Sequence, residues 1–163
     1  MQFADIIGQK ETKQQLAELV QHNRLSHALL FLGKEGSGSL SLAIAFAQYV
    51  VCEKVNGGKS GVGSQESGPS LFGEPENSNV EPPTLNDSCG VCPACQKAQQ
   101  LIHPDIHFSY PTVTKKPGEK PVATDFITDW REFVKLSPYG NSYDWIEQIK
   151  EKENSQGKIT AEE

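Results

Sequence analysis

The sequence predicts an α/β fold, with parallel strands flanked by helices and a cysteine-bearing module inserted part-way along the chain. Three observations predict it. "SHALLFLG", residues 26–33, is a short unbroken apolar run stopped by glycine, the pattern of a strand buried on both faces. Residues 39–51 follow with helical periodicity, so a glycine-rich turn joins the strand to a helix. Cys89, Cys92 and Cys95 then appear at two-residue spacing after a long polar stretch.

The elements follow in order. Residues 5–24 read as a turn and then a helix, because Leu16, Leu19 and Val20 recur at i, i+3 and i+4. In the helix over 39–51, Leu40, Ala43, Ala47 and Val50 fall on one face, which Ile44 and Val51 widen. Residues 56–88 are dense in Gly, Ser, Pro, Asn and Glu. Such a stretch buries too little apolar surface to offset its ordering entropy, so it is expected to be disordered. Residues 96–102 form a short helix ended by His103-Pro104, and 105–110 alternate as a strand does. Residues 114–121 make a polar loop. Residues 124–136 are amphipathic, with Phe126, Trp130, Phe133 and Val134 inward, and 142–154 continue with Trp145, Ile146 and Ile149 inward. Thr160-Ala161-Glu162-Glu163 has the form of a capping box with no helix behind it, so a chain cut short is expected. The domain plan is a main domain over 1–51 and 103–163, with an insertion over 52–102.

With 163 residues the chain is long enough for one domain with its own core. The net charge of −6 argues against the broad basic face that non-specific nucleic-acid binding needs; Lys115, Lys116 and Lys120 form the only local basic cluster, and a solvated loop accounts for them. No stretch approaches the roughly 18 consecutive apolar residues of a membrane span. "MQFADIIGQK" has no basic segment leading into an apolar run, so no signal peptide is read and a cytoplasmic chain is expected. In that compartment, closely spaced cysteines point to metal rather than to disulfides.

Thiolates in a C-x2-C-x2-C array can converge on one tetrahedral Zn²⁺ at about 2.3 Å per bond. The fourth ligand is expected to be Cys52, which lies where the insertion leaves the main domain, with His103 and His107 as rivals. Four cysteines leave no open position, so the site is structural rather than catalytic. Free thiols or a redox pair are the plainer alternatives, and no thioredoxin-like strand–helix–strand context supports the second.

The turn after the first strand reads "GKEGSGSL". A phosphate-binding loop has the form G-x-x-x-x-G-K-[ST], in which Lys reaches the terminal phosphates and Ser or Thr holds Mg²⁺. Gly33 and Gly38 have that spacing and Gly36 lies between them, but the next positions are Ser39 and Leu40. Lys34 lies at the start of the loop, in the wrong place to replace the lysine. Neither ATP hydrolysis nor ATP as a cofactor is expected, no catalytic residue is assigned, and the glycines are read as serving a tight turn.

These residues together resemble one family. "FADIIGQKETKQQLAELVQHNRLSHALLFLGKEGSG", a helix, Cys52, and then "CGVCPACQKAQQLIHPDIHF" are similar to the start of bacterial DNA polymerase III clamp-loader subunits, AAA+ P-loop NTPase-type proteins with a four-cysteine zinc module after the P-loop helix. The resemblance is strong over 3–51 and 89–109, weaker over 124–160 and absent from the insertion. It implies a truncated AAA+ domain and zinc held by Cys52, Cys89, Cys92 and Cys95. Ser39 and Leu40 make the loop similar to the delta-prime type, a non-hydrolysing stator, rather than to the gamma/tau motor. The resemblance implies a role in DNA replication: one position in a pentameric ring, beside gamma/tau and delta subunits, that opens the sliding clamp and loads it on primed DNA within the polymerase holoenzyme. The family's trans-acting Ser-Arg-Cys segment does not occur in these residues. The fragment alone is expected to be a monomer or a non-native oligomer. Two other readings stand beside this one, a gamma/tau-like ATPase and a zinc-dependent nucleic-acid-binding module.

Overall fold

Leu16, Ala17 and Val20 form the inner stripe of α1 (Lys10–Gln21) in the computed structural model, which describes residues 1–56, 86–114, 121–150 and 157–159. A 3₁₀ turn, Phe3–Asp5, precedes it and buries Phe3. After α1 come α2 (Ser39–Val51), α3 (Glu53–Asn56) and α4 (Pro93–Gln99). A second 3₁₀ turn, Ala123–Phe126, leads into α5 (Ile127–Leu136), and α6 (Ser142–Ile149) follows. The amphipathic pattern of the last two helices holds, with Phe126, Trp130, Phe133, Val134, Trp145 and Ile149 all buried.

The expected parallel strands are not formed among the described residues. Among the described residues there is no strand, and the one β-type pairing is an isolated antiparallel bridge between Thr112 and Lys158. Each of these two donates its N–H to the other's carbonyl at 2.9 Å. The described residues are therefore mostly helical and do not form the expected α/β arrangement. The physical reason is that a strand exists only as part of a ladder. An apolar run gives residues 26–33 the tendency, but no described segment lies alongside to accept their backbone groups. Phe31 turns inward, its ring 6.0 Å from that of Phe46, while Leu30 and Leu32 are 86% and 87% exposed. Residues 105–110 likewise form no strand.

The inward face expected for α2 is also corrected. Leu40 is 37% exposed, whereas Ser41, Leu42, Ile44, Ala45, Phe46, Gln48 and Tyr49 are buried. The helix is apolar nearly all round, so periodicity could not choose a face; it lies between two cores. On one side Leu42, Ala45, Phe46 and Tyr49 pack with Phe3, Ile6, Leu16, Ala17 and Val20. On the other, Ile44 joins an aromatic core of Tyr110, Phe126, Trp130, Phe133 and Trp145. There Tyr110 stacks on Trp130 at 4.4 Å, and Trp145 meets both edge-on. The Trp145 indole N–H donates to Pro111 O at 2.7 Å, so the buried ring leaves no unpaired donor.

Residues 57–85, most of the stretch expected to be disordered, lie outside the described residues, as do Lys115, Lys116, Lys120 and the Thr160 capping box. The ends of the polar stretch belong to the folded body. Asp87 accepts the Phe3 and Ala4 N–H groups at 3.0 and 2.9 Å. Ser88 is buried and receives the Gln48 amide at 3.0 Å, while Gln48 accepts from the Met1 ammonium at 3.0 Å. This polar chain ties the N-terminus and α2 to the segment that brings in Cys89.

Candidate metal centre and glycine loop

Cys52 follows the last residue of α2 and is fully buried. Its sulfur accepts the Cys89 backbone N–H at 3.3 Å. Within the knuckle the pattern repeats, since Cys92 N–H donates to Cys89 Sγ and Cys95 N–H to Cys92 Sγ, each at 3.4 Å. Gly90 turns the knuckle in the left-handed region, φ 71°, where a side chain would be strained and would meet the Gln2 amide at 3.0 Å. Cys92 caps α4 and Pro93 opens it. Glu53, the residue after Cys52, accepts the Ala94 N–H at 3.2 Å, so α3 and α4 meet beside the cluster.

All four sulfurs lie within 4.8 Å of one another, and the Cys89 and Cys95 sulfurs are 3.9 Å apart. A tetrahedral Zn²⁺ with bonds of about 2.3 Å sets sulfurs about 3.8 Å apart, whereas a disulfide needs about 2 Å. The donor set therefore fits a structural metal ion and not a pair of disulfides. Burial pushes the Cys89 thiol up, but N–H groups of Val91 and Cys92 and the Cys92 and Cys52 side chains outweigh it and bring the thiol down to about 6. Burial, with the Cys92 side chain next, pushes the Cys95 thiol up. N–H donors that stabilise one thiolate beside buried neighbours are the arrangement a cation completes.

The structure brings together Cys52, Cys89, Cys92 and Cys95 and leaves both rival histidines outside this cluster. His103 Nδ1 accepts the Asp105 N–H at 3.2 Å instead. Glu53, Asp87 and Gln2 support the knuckle and were not singled out by the sequence. Asn-Asp-Ser immediately before Cys89 was the available signal, since these residues satisfy backbone N–H groups in turns and caps.

The glycine loop lies at the other end of α2. Ser37 N–H donates to Lys34 O at 3.0 Å, and Gly38 O accepts the Leu42 N–H at 2.8 Å as the helix begins. Gly38 precedes the helix with φ 77°, a left-handed position that explains the glycine. Ser39 and Leu40 occupy the first two helical positions. A hydroxymethyl and an isobutyl group supply neither the cation for terminal phosphates nor the hydroxyl at the Mg²⁺ position, so the residues present do not fit Mg-ATP.

Residues 8–68 match the family described as DNA polymerase III, delta subunit. A stretch of 50 residues, 31% of this chain, is 44% identical to the DNA polymerase III subunit tau/gamma of Haemophilus influenzae and spans 7% of that relative's length. No solved structure matches the chain. Both matches fall on parts of the chain and are to DNA polymerase III subunits, one of the delta and one of the tau/gamma type.

Proposed function

We propose that the chain belongs to a non-catalytic, delta-prime-type stator of the bacterial clamp loader, acting in the cytoplasm. It holds one ring position beside gamma/tau and delta subunits, and with them loads the sliding clamp on primed DNA. Cys52, Cys89, Cys92 and Cys95 hold one structural Zn²⁺ that closes the neck of the 52–102 insertion against the main domain. The observation that carries the non-catalytic reading is Ser39-Leu40 at the head of α2, where a working loop needs Lys and Ser or Thr. Without the cation and the metal hydroxyl, charge developing on a transferring phosphate is uncompensated by several kcal/mol.

The tau/gamma relative favours a second reading, an ATPase motor with an atypical loop. Turnover of radiolabelled ATP by the chain, alone and mixed with gamma and delta subunits, separates the two. The stator reading expects no turnover from the chain alone and faster clamp loading when it is added to the other subunits. A rate of about 1 s⁻¹, at the low end of ordinary enzyme turnover, from the chain alone would establish the motor instead.

A further inference from the structure

Tyr139 stands directly against the glycine loop. A Cβ placed on Gly38 would lie 2.6 Å from Tyr139 Cε1 and 3.0 Å from Cδ1, so the phenol ring rests on the backbone of that glycine. Gly38 is buried in consequence. The segment carrying the ring is fixed from several sides. Tyr139 Oη accepts the Ile7 N–H at 2.9 Å. The Ser41 hydroxyl, one turn into α2, donates to Pro138 O. Gly140 N–H closes a turn onto Ser137 O at 2.9 Å, and Asn141 then caps α6 through the Tyr143 and Asp144 N–H groups.

The loop also closes on itself. A Cβ on Gly33 would lie 2.1 Å from Ser37 Oγ, so the Ser37 side chain reaches across the turn. That hydroxyl is buried without a hydrogen-bond partner among the described residues, a cost the closed loop bears. A cavity of about 270 Å³ remains between the loop and the Pro138–Ser142 segment. Ordinary small-molecule sites run from about 300 to 1,000 Å³.

An anion at such a loop draws its hydrogen bonds from N–H groups at the start of the following helix, and glycine is required there so that the backbone can approach closely. Here the Tyr139 ring takes up the space beside Gly38 that a side chain would need, at the edge of the cavity the loop lines. We propose that Tyr139 is a built-in occupant of the glycine loop, filling the place of a phosphate and excluding nucleotide independently of the missing lysine. The inference goes beyond the clamp-loader reading and does not depend on it.

The test is Mg-ATP binding by titration calorimetry to the chain and three variants: Ser39→Lys with Leu40→Thr, Tyr139→Ala, and all three substitutions together. Zinc content and helical circular dichroism control for folding. The triple variant is expected to bind at least about tenfold tighter than the double variant that restores the motif, and neither the chain itself nor Tyr139→Ala alone is expected to bind. A double variant that binds as tightly as the triple one, or a folded triple variant that does not bind, overturns the proposal. Amide exchange supplies a readout that needs no nucleotide and no motif substitution. Tyr139→Ala is expected to speed exchange at residues 38–40 and at Ile7, whereas Tyr139→Phe, which keeps the ring, affects Ile7 alone. Unchanged exchange at 38–40 in Tyr139→Ala also overturns it.

Discussion

Tyr49 shows how one buried side chain sets a pH limit. It is fully buried on α2, and its hydroxyl accepts the Gln21 amide at 3.1 Å. Burial raises its pKa above the ordinary value of 10.0, against the opposing effect of the Gln21 hydrogen bond. Between 10.0 and the higher folded value the unfolded chain has lost a proton that the folded chain keeps. The stabilisation is therefore fully present below pH 10.0 and lost as pH rises through the folded pKa. Melting temperatures taken from pH 8 to 11 should fall at the alkaline end. Tyr49→Phe should flatten that fall while costing about 1 kcal/mol at neutral pH through the lost hydrogen bond. Asp87 sets a second residue-scale expectation. Its carboxylate satisfies the Phe3 and Ala4 N–H groups, so Asp87→Ala should cost about 0.5–2 kcal/mol in urea melts, the range for losing a helix cap.

At the scale of the element, α2 joins the two candidate sites: the glycine loop opens it and Cys52 follows it. Zinc analysis should give about one metal ion per chain, as a single tetrahedral four-thiolate site requires. Cys92→Ser should release most of it, and α4 should lose protection in hydrogen exchange because Cys92 also caps that helix. Cys52→Ser should do the same to the metal while leaving the cap in place; zinc content unmoved by it would remove Cys52 from the ligand set. How much of this was legible depended on whether the signal was local. The C-x2-C-x2-C spacing and the amphipathic patterns of α5 and α6 are written in consecutive residues, and both appear in the structure. That residues 26–33 and 105–110 form no strand was not legible, because a ladder needs a neighbour that no local pattern supplies, and Leu30 and Leu32 point to solvent as a result. The buried face of α2 escaped for the opposite reason, since apolar residues on every side leave no moment to read. Glu53, Asp87 and Tyr139 act only through contacts with distant segments, which spacing does not encode.

For the whole molecule, the sharing of α2 between two cores makes its small residues the sensitive ones. Ala45 is fully buried among Phe3, Leu16 and Tyr49 and their neighbours. Ala45→Leu should destabilise by about 1–3 kcal/mol through overpacking, read as a lower urea midpoint with the slope unchanged. Chelation is expected to act more broadly. Structural zinc contributes about 10–16 kcal/mol in small peptides, and a metal ion held by the four cysteines would add part of that free energy to the packing of α4 against α2. Melting with and without a strong chelator should therefore show a drop larger than that of any single core substitution. Loss of metal with an unchanged melting curve would confine the cluster to a local role.

The hydrogen bond from Cys89 to the Cys52 sulfur brings together two points of the chain that lie 37 positions apart. Extra residues inserted between them would lengthen a loop that this clasp already closes. Doubling its length adds only about 0.6 kcal/mol of closure entropy. An epitope or a fluorescent reporter spliced in between positions 57 and 85, clear of α3 and of Asp87, would leave the contacts of α2 and α4 as they are.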